Sequence, residues 1–298
     1  MISVFRTSST MERSKVNVRR RLRGRLLLAA CSLAVVRPTL AQGGPDSQSG
    51  AVISGRDMTI LAGATAGAAL VSLLDVRIAR AIGDSTFHLR HPTFGIAAKR
   101  ANVATETVLM LTGGTVYGIA RLSKNDGTAD IALHTTESVA SAAIVIQIVR
   151  GVLGRARPYV IDDAGETRDG DPYDFQPFHG FTSFNYRSFP SMHAMASFAA
   201  ASALAQEMRR RDTPHRGAIA PVLYVAAAMP GLARMYLDEH WASDVAMGVV
   251  IGVFAGQKVV TYSHDHPDNA VDRRLLRPRL SATVSHDAGG FSFALSPF

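Results

Sequence analysis

PSMHAMASFAAASALAQ, residues 190–206, decides the fold class. Alanine dominates it, no glycine interrupts it, and its proline stands at the front, where helices tolerate one. Ser191 is a residue type that caps a helix start. Five further weakly apolar, Ala-rich segments share this character: 58–74, 103–120, 133–153, 218–233 and 241–260. Each is long enough for four or more helical turns. Aromatics are 7% of the chain and the apolar content is mostly Ala, Val, Leu and Ile. The expectation is an all-α protein, a bundle of about six core helices over residues 57–265.

The ends of the chain differ in kind. Residues 1–41 hold nine of the 32 basic residues and one of the 24 acidic ones, so the remaining 23 of each cancel. The formal charge of +8 therefore belongs to the leader, and no nucleic-acid partner is expected. A basic run, Arg19–Arg25, precedes apolar Leu26–Val36 and the small-residue end Thr39-Leu40-Ala41. That is the layout of an export signal, with cleavage expected near Ala41. A short membrane anchor is the alternative. A lipoprotein box at Leu28-Ala29-Ala30-Cys31 is disfavoured by its short apolar run. The only cysteine, Cys31, lies in this leader, so the mature chain holds no disulfide framework. Residues 42–56 read as a Gly/Ser/Gln/Asp linker. In the tail, 266–298, two partly alternating runs flank Asp287-Ala288-Gly289-Gly290, a hairpin signal.

Membrane crossing needs about 20 predominantly apolar residues. The six segments are 16–21 long by this reading, and several carry charge: Glu106, Glu137, Arg150, Asp244. The connection 207–217 is strongly basic, which would keep it cytoplasmic in a spanning bundle. Six full spans would then start the bundle in the cytoplasm, against a cleaved export signal. Either the bundle is soluble or peripheral outside the inner membrane, or one segment does not cross. The sequence leans to the first.

Three stretches concentrate chemistry. In Arg150-Gly-Val-Leu-Gly-Arg155-Ala-Arg157-Pro158, Arg150 and Arg157 are two helical turns apart, so one face can carry both, with Pro158 ending the helix. Two guanidinium groups make a clamp for phosphate oxygens; a solvated basic helix end is the plainer alternative. In Pro190-Ser191-Met192-His193, the helix start can bind an anion, and His193 can give a proton to a leaving group. In Arg234-Met-Tyr-Leu-Asp238-Glu239-His240-Trp241-Ala-Ser243-Asp244, His240 and Asp244 are spaced for one helix face. A carboxylate on one ring nitrogen leaves the other free to attack. Asp238 and Glu239 either raise the basicity of His240 or face solvent. The long connection 159–189 holds six carboxylates, then Phe175, Phe178, Phe181 and Phe184; a loop this long in a compact domain is functional or disordered.

Taken in order, these motifs resemble the three-part signature of the type 2 phosphatidic acid phosphatase / vanadium haloperoxidase superfamily. That signature is Lys six residues before Arg-Pro, then Pro-Ser-Gly-His, then Ser-Arg, five residues to His and three more to Asp. The resemblance implies that His240 is the nucleophile, oriented by Asp244, and that His193 is the general acid. It implies that Arg150, Arg157, Ser191, Met192 and Arg234 bind the phosphoryl group, with no metal or other cofactor. Three positions depart: Arg150 for Lys, Met192 for Gly and Ala233 for Ser. The planar guanidinium alters the clamp, and Met192 threatens to crowd it. The implied activity is hydrolysis of lipid phosphate, lipid pyrophosphate or small phosphomonoesters, through a phosphohistidine. The partners are that substrate and a membrane surface or inner membrane, with the site facing the periplasm. The alternatives are a haloperoxidase, which would hold vanadate as its cofactor, and a non-catalytic envelope binding module.

Overall fold

The computed structural model describes residues 53–83, 92–161, 165, 167–276, 279–285 and 290–296. The leader 1–41 and most of the linker lie outside the described residues. Helix α1, Gly55–Val71, begins two residues inside the expected linker. Ser54 caps it by accepting from the Asp57 amide, while Asp57 accepts from the Ser54 amide, a reciprocal capping box. A 3-10 turn, Ser72–Leu74, leads into α2, Asp75–Ile82. Then follow α3, Pro92–Ala101; α4, Glu106–Leu122; and α5, Asp126–Leu153. Strands β1, Tyr159–Ile161, and β2, Thr167–Asp169, pair antiparallel, and α6 is the single turn His179–Thr182. Helices α7, Met192–Arg210; α8, Arg216–Tyr236; and α9, Ala242–Asp265, follow, then the short α10, Ala270–Leu275. The fold is all-α. In the tail, β3, Arg279–Ser285, pairs antiparallel with β4, Gly290–Ser296.

The chain divides into two compact units. One comprises residues 1–98, 146–191 and 232–250; the other 99–145, 192–231 and 251–298. In the second unit, the small residues of α7 that open the sequence reading are its buried face: Ala194, Ala196, Ala199, Ala203 and Ala205. Gly252 and Gly256 of α9 meet them so closely that a Cβ on Gly252 would stand 2.4 Å from the Met195 carbonyl oxygen. Small residues on both helices permit this backbone approach. Ser202 Oγ donates to the Val253 carbonyl across the same contact.

Two local expectations fail. Pro158 does not end α5. The helix stops at Leu153 because Gly154 takes a left-handed φ of 56° and donates to the Arg150 carbonyl. A Cβ there would also collide with Gln176 O, so only glycine fits. Arg150 and Arg157 therefore do not share a helix face; Arg157 lies in the connection between α5 and β1. Nor do His240 and Asp244, because α9 begins at Ala242 and His240 stands in the turn before it.

Four helical stretches are also longer than the matching apolar segments. Among the described residues, four stretches are long and apolar enough to cross a membrane: Gly55–Ile82, Asp126–Leu153, Arg216–Tyr236 and Ala242–Asp265, of 21–28 residues. That removes the length objection behind the leaning toward a soluble bundle. Only 22–33% of their most apolar windows is buried. Leu70, Leu73, Ile144, Ile148, Val222 and Val225 point outward instead, an unusual amount of large apolar surface for water to cover.

Candidate active site

The centre of the first unit is a buried arginine to which the sequence reading assigns no role. Arg155 is fully buried, and its guanidinium spends its donors on two carboxylates. Nη2 donates to Asp75 Oδ2 at 2.7 Å and Nη1 to Asp244 Oδ1 at 2.5 Å. Nη1 also reaches Ser243 Oγ, and Nε donates to the Pro172 carbonyl. Asp75 in turn accepts from the amide and hydroxyl of Ser243. Aromatic rings of Phe175, Phe189 and Trp241 surround the guanidinium at 5.6–5.9 Å. A lone Asp between Leu74 and Val76 is the one trace of this network in the sequence.

Asp244 is thereby saturated. Besides Arg155, it accepts from Ser188 Oγ at 2.5 Å and from the Trp241 amide at 2.8 Å. His240 Nδ1 lies 3.7 Å from Asp244 Oδ2, close enough for electrostatic orientation and too long for a hydrogen bond. His240 is buried, and its ring is held well below the ordinary imidazole range, at about 4. Burial is the main cause; Arg157 and Arg234 push the same way and Asp244 opposes. The ring is thus neutral at neutral pH, the form that has a lone pair to attack with.

Arg157 is braced by the long connection. Its Nε donates to the Phe184 carbonyl, and its guanidinium lies 3.8 Å from the centre of the Phe184 ring. Burial, then Arg234, then Arg150 bring it down to about 9, so it keeps its charge near neutral pH. Its depression by both arginines reports a cluster of three cations. The Glu239 carboxylate enters this cluster: Oε2 contacts Arg157 Nη1 and lies 3.2 Å from Arg234 Nη2. Glu239 does not face solvent freely. Its Oε2 lies between two guanidinium groups.

Ser191 is fully buried and directly precedes α7, and its amide donates to the Asp244 carbonyl. Met192 and His193 open α7, with Met192 buried and His193 half-buried. They belong to the second unit. Arg150 is half-buried in the last turn of α5. A cleft of about 800 Å³ shares Trp241 and Pro158 with this region, yet its wall carries Asp169, Asp171, Asp174 and Asp238 and none of the clamp arginines. Those carboxylates would repel a phosphate, so that cleft is not the phosphate seat.

The neutral form of His240 is lost as pH falls through its own value. Once the substrate's ionisation is divided out, the acid limb of kcat/KM should therefore fall near pH 4 and not near 6.5. A limb at the ordinary imidazole value would contradict a desolvated His240 as the attacking group.

The sequence pattern of the PAP2 superfamily matches residues 132–267. No curated protein sequence matches the chain. Among solved structures, the chain is similar to the crystal structure of the first transmembrane PAP2 type phosphatidylglycerolphosphate phosphatase from Bacillus subtilis, at 16% identity and a TM-score of 0.34. That match covers 68% of this chain and 98% of the other. Arg150, Arg157, Ser191, His193, Arg234, His240 and Asp244 all fall inside the matched stretch, in the order of the signature, and residues 132–267 match the PAP2 superfamily.

Proposed function

We propose that this protein hydrolyses phosphate esters of lipids, or lipid pyrophosphates, through a phosphohistidine on His240. The observation that carries the reading is a buried, neutral imidazole beside a cluster of three arginines, with a braced carboxylate behind it. His240 Nε2 attacks phosphorus and the ester P–O bond breaks. Arg157, Arg234 and Arg150 hold the equatorial oxygens, whose charge grows in the transition state. The departing oxygen needs a proton, and the family resemblance gives that task to His193. Water then attacks the phosphohistidine, releasing inorganic phosphate and the free imidazole. The guanidinium groups supply the positive charge, so the reading requires no metal for turnover. Glu239 leaves its place between the two guanidinium groups as the phosphate arrives.

The lipid part of the reading is supported by the four long apolar helices and their outward-facing aliphatic side chains. A chain seated in a bilayer meets its substrate's headgroup at the membrane surface. Phosphate release from lipid phosphates in mixed micelles, compared with soluble monoesters, tests this. Vanadate, which adopts the five-coordinate geometry of the transition state, should inhibit release. Vanadate-dependent oxidation of halide in its place would establish the haloperoxidase reading. Absence of both activities in folded protein would leave a binding module.

The export-type leader supports a periplasmic site. A reporter inserted within 163–172 should read periplasmic, and a cytoplasmic signal there would turn the site inward and make the leader an anchor.

A further inference from the structure

We propose that His134, Glu207 and His264 form a binding site for a divalent transition metal of the zinc class, separate from the phosphate chemistry. The three come from α5, α7 and α9, all within the second unit. Their ligand atoms lie within 4.8 Å of one another, against roughly 3.4 Å between donors of a tetrahedral zinc. Each oxygen of the Glu207 carboxylate already faces one ring: Oε1 is 2.6 Å from His134 Nδ1, and Oε2 is 3.0 Å from His264 Nε2. Two imidazoles and one carboxylate suit zinc and its neighbours, and a fourth position stays open for water.

Proton bookkeeping around His134 is compatible with an ion. His134 is buried with carboxylates at both ring nitrogens: Glu207 at Nδ1, and Asp272 Oδ1 at 3.5 Å from Nε2. The second distance is too long for a hydrogen bond, and both of those atoms are buried without a hydrogen-bond partner. A neutral imidazole would turn a lone pair toward one carboxylate in either tautomer; a second ring proton or a metal on Nδ1 would each remove the conflict. The metal places the proton on Nε2, facing Asp272, and makes the carboxylate–histidine–metal arrangement that fixes ligand orientation. Asp272 is set for this, because its Oδ2 accepts from Asn269 and its amide is capped by the same side chain.

Glu207 is fully buried and is contacted by His134, Arg211 and His264. Arg211 Nε is the competing cation, 2.8 Å from Oε2, and Asp130 at 3.3 Å offers it another partner. His264 and Arg211 are a quarter to a third exposed, which leaves a way in. Because ligand protons leave as the metal binds, uptake weakens as pH falls. The ion would tie three helices to α10.

Full-length protein in detergent, stripped by a chelator, should be titrated with Zn²⁺ against a chromophoric competitor. One ion per chain is expected. His264→Ala should weaken uptake a hundredfold or more, and Asp272→Asn about ten- to a hundredfold. His264→Gln serves if the alanine variant does not fold. Neither change should alter phosphate release per folded molecule, so failure here is distinguishable from failure of the phosphatase reading. Wild-type protein that takes up no zinc, or folded His264 variants that bind as tightly as wild type, would overturn the site.

Discussion

His240→Ala should abolish phosphate release, by at least about 10⁴-fold, and no phosphoprotein should be trapped from it. The size follows from the role. A nucleophile forms the bond that divides the reaction in two, and nothing beside it can substitute. Asp244 is committed to Arg155, Ser188 and the Trp241 amide. A rapid quench that avoids acid, with labelled substrate, distinguishes this from general damage. His193→Ala loses only protonation of the leaving oxygen, so with a good leaving group it should still label the chain. Wild type and His193→Ala should therefore carry acid-labile label, and His240→Ala none. Equal labelling of the two histidine variants would remove His240 from the role. The arginines should stay able to bind vanadate in His240→Ala, only more weakly, because that ligand loses its bond to nitrogen and keeps its cations.

The sequence exposes the helical class and the order of the motifs because both are local. Alanine-rich runs announce helix wherever they fold, and Arg157, Ser191, Arg234 and His240 sit in short patterns of unusual side chains. What was hidden depends on long-range pairing. Arg150 and Arg157 look like neighbours on a helix face until Gly154 ends the helix between them. Arg155 looks like one more basic residue, and its two carboxylates lie 80 and 89 positions away. Glu239 could be read either way, because only the fold shows that Arg157 comes to meet it. His134, Glu207, His264 and Asp272 form no local pattern, since each stands alone within a different helix. The membrane question turned on element length. The apolar segments stop where polar residues begin, whereas four helical stretches run on past them, to 28 residues in α5.

Arg155→Met should cost the protein most of its folded population. The substitution keeps volume and removes the charge between Asp75 and Asp244, leaving two buried carboxylates with no cation. Breaking a buried ion pair from one side costs about 3–5 kcal/mol, a large part of a typical folding free energy. Trp241 reports the change directly. It is the only tryptophan in the chain, its indole lies 5.9 Å from the Arg155 guanidinium, and its Nε1 donates to the Ala156 carbonyl. Its fluorescence should follow a melting transition that is far lower in Arg155→Met than in wild type. Adding Asp75→Asn removes one of the stranded charges, so the double variant should regain part of that loss. It should not regain phosphatase activity, because Asp244 would still lack the brace that fixes it behind His240. The same logic gives Arg155→Lys an intermediate place, since one ammonium keeps the charge but cannot reach both carboxylates in the fork geometry of a guanidinium. If Arg155→Met melts like wild type, the Asp75–Arg155–Asp244 chain does not hold this unit together. Asp244 would then owe its position to Ser188 and the Trp241 amide alone.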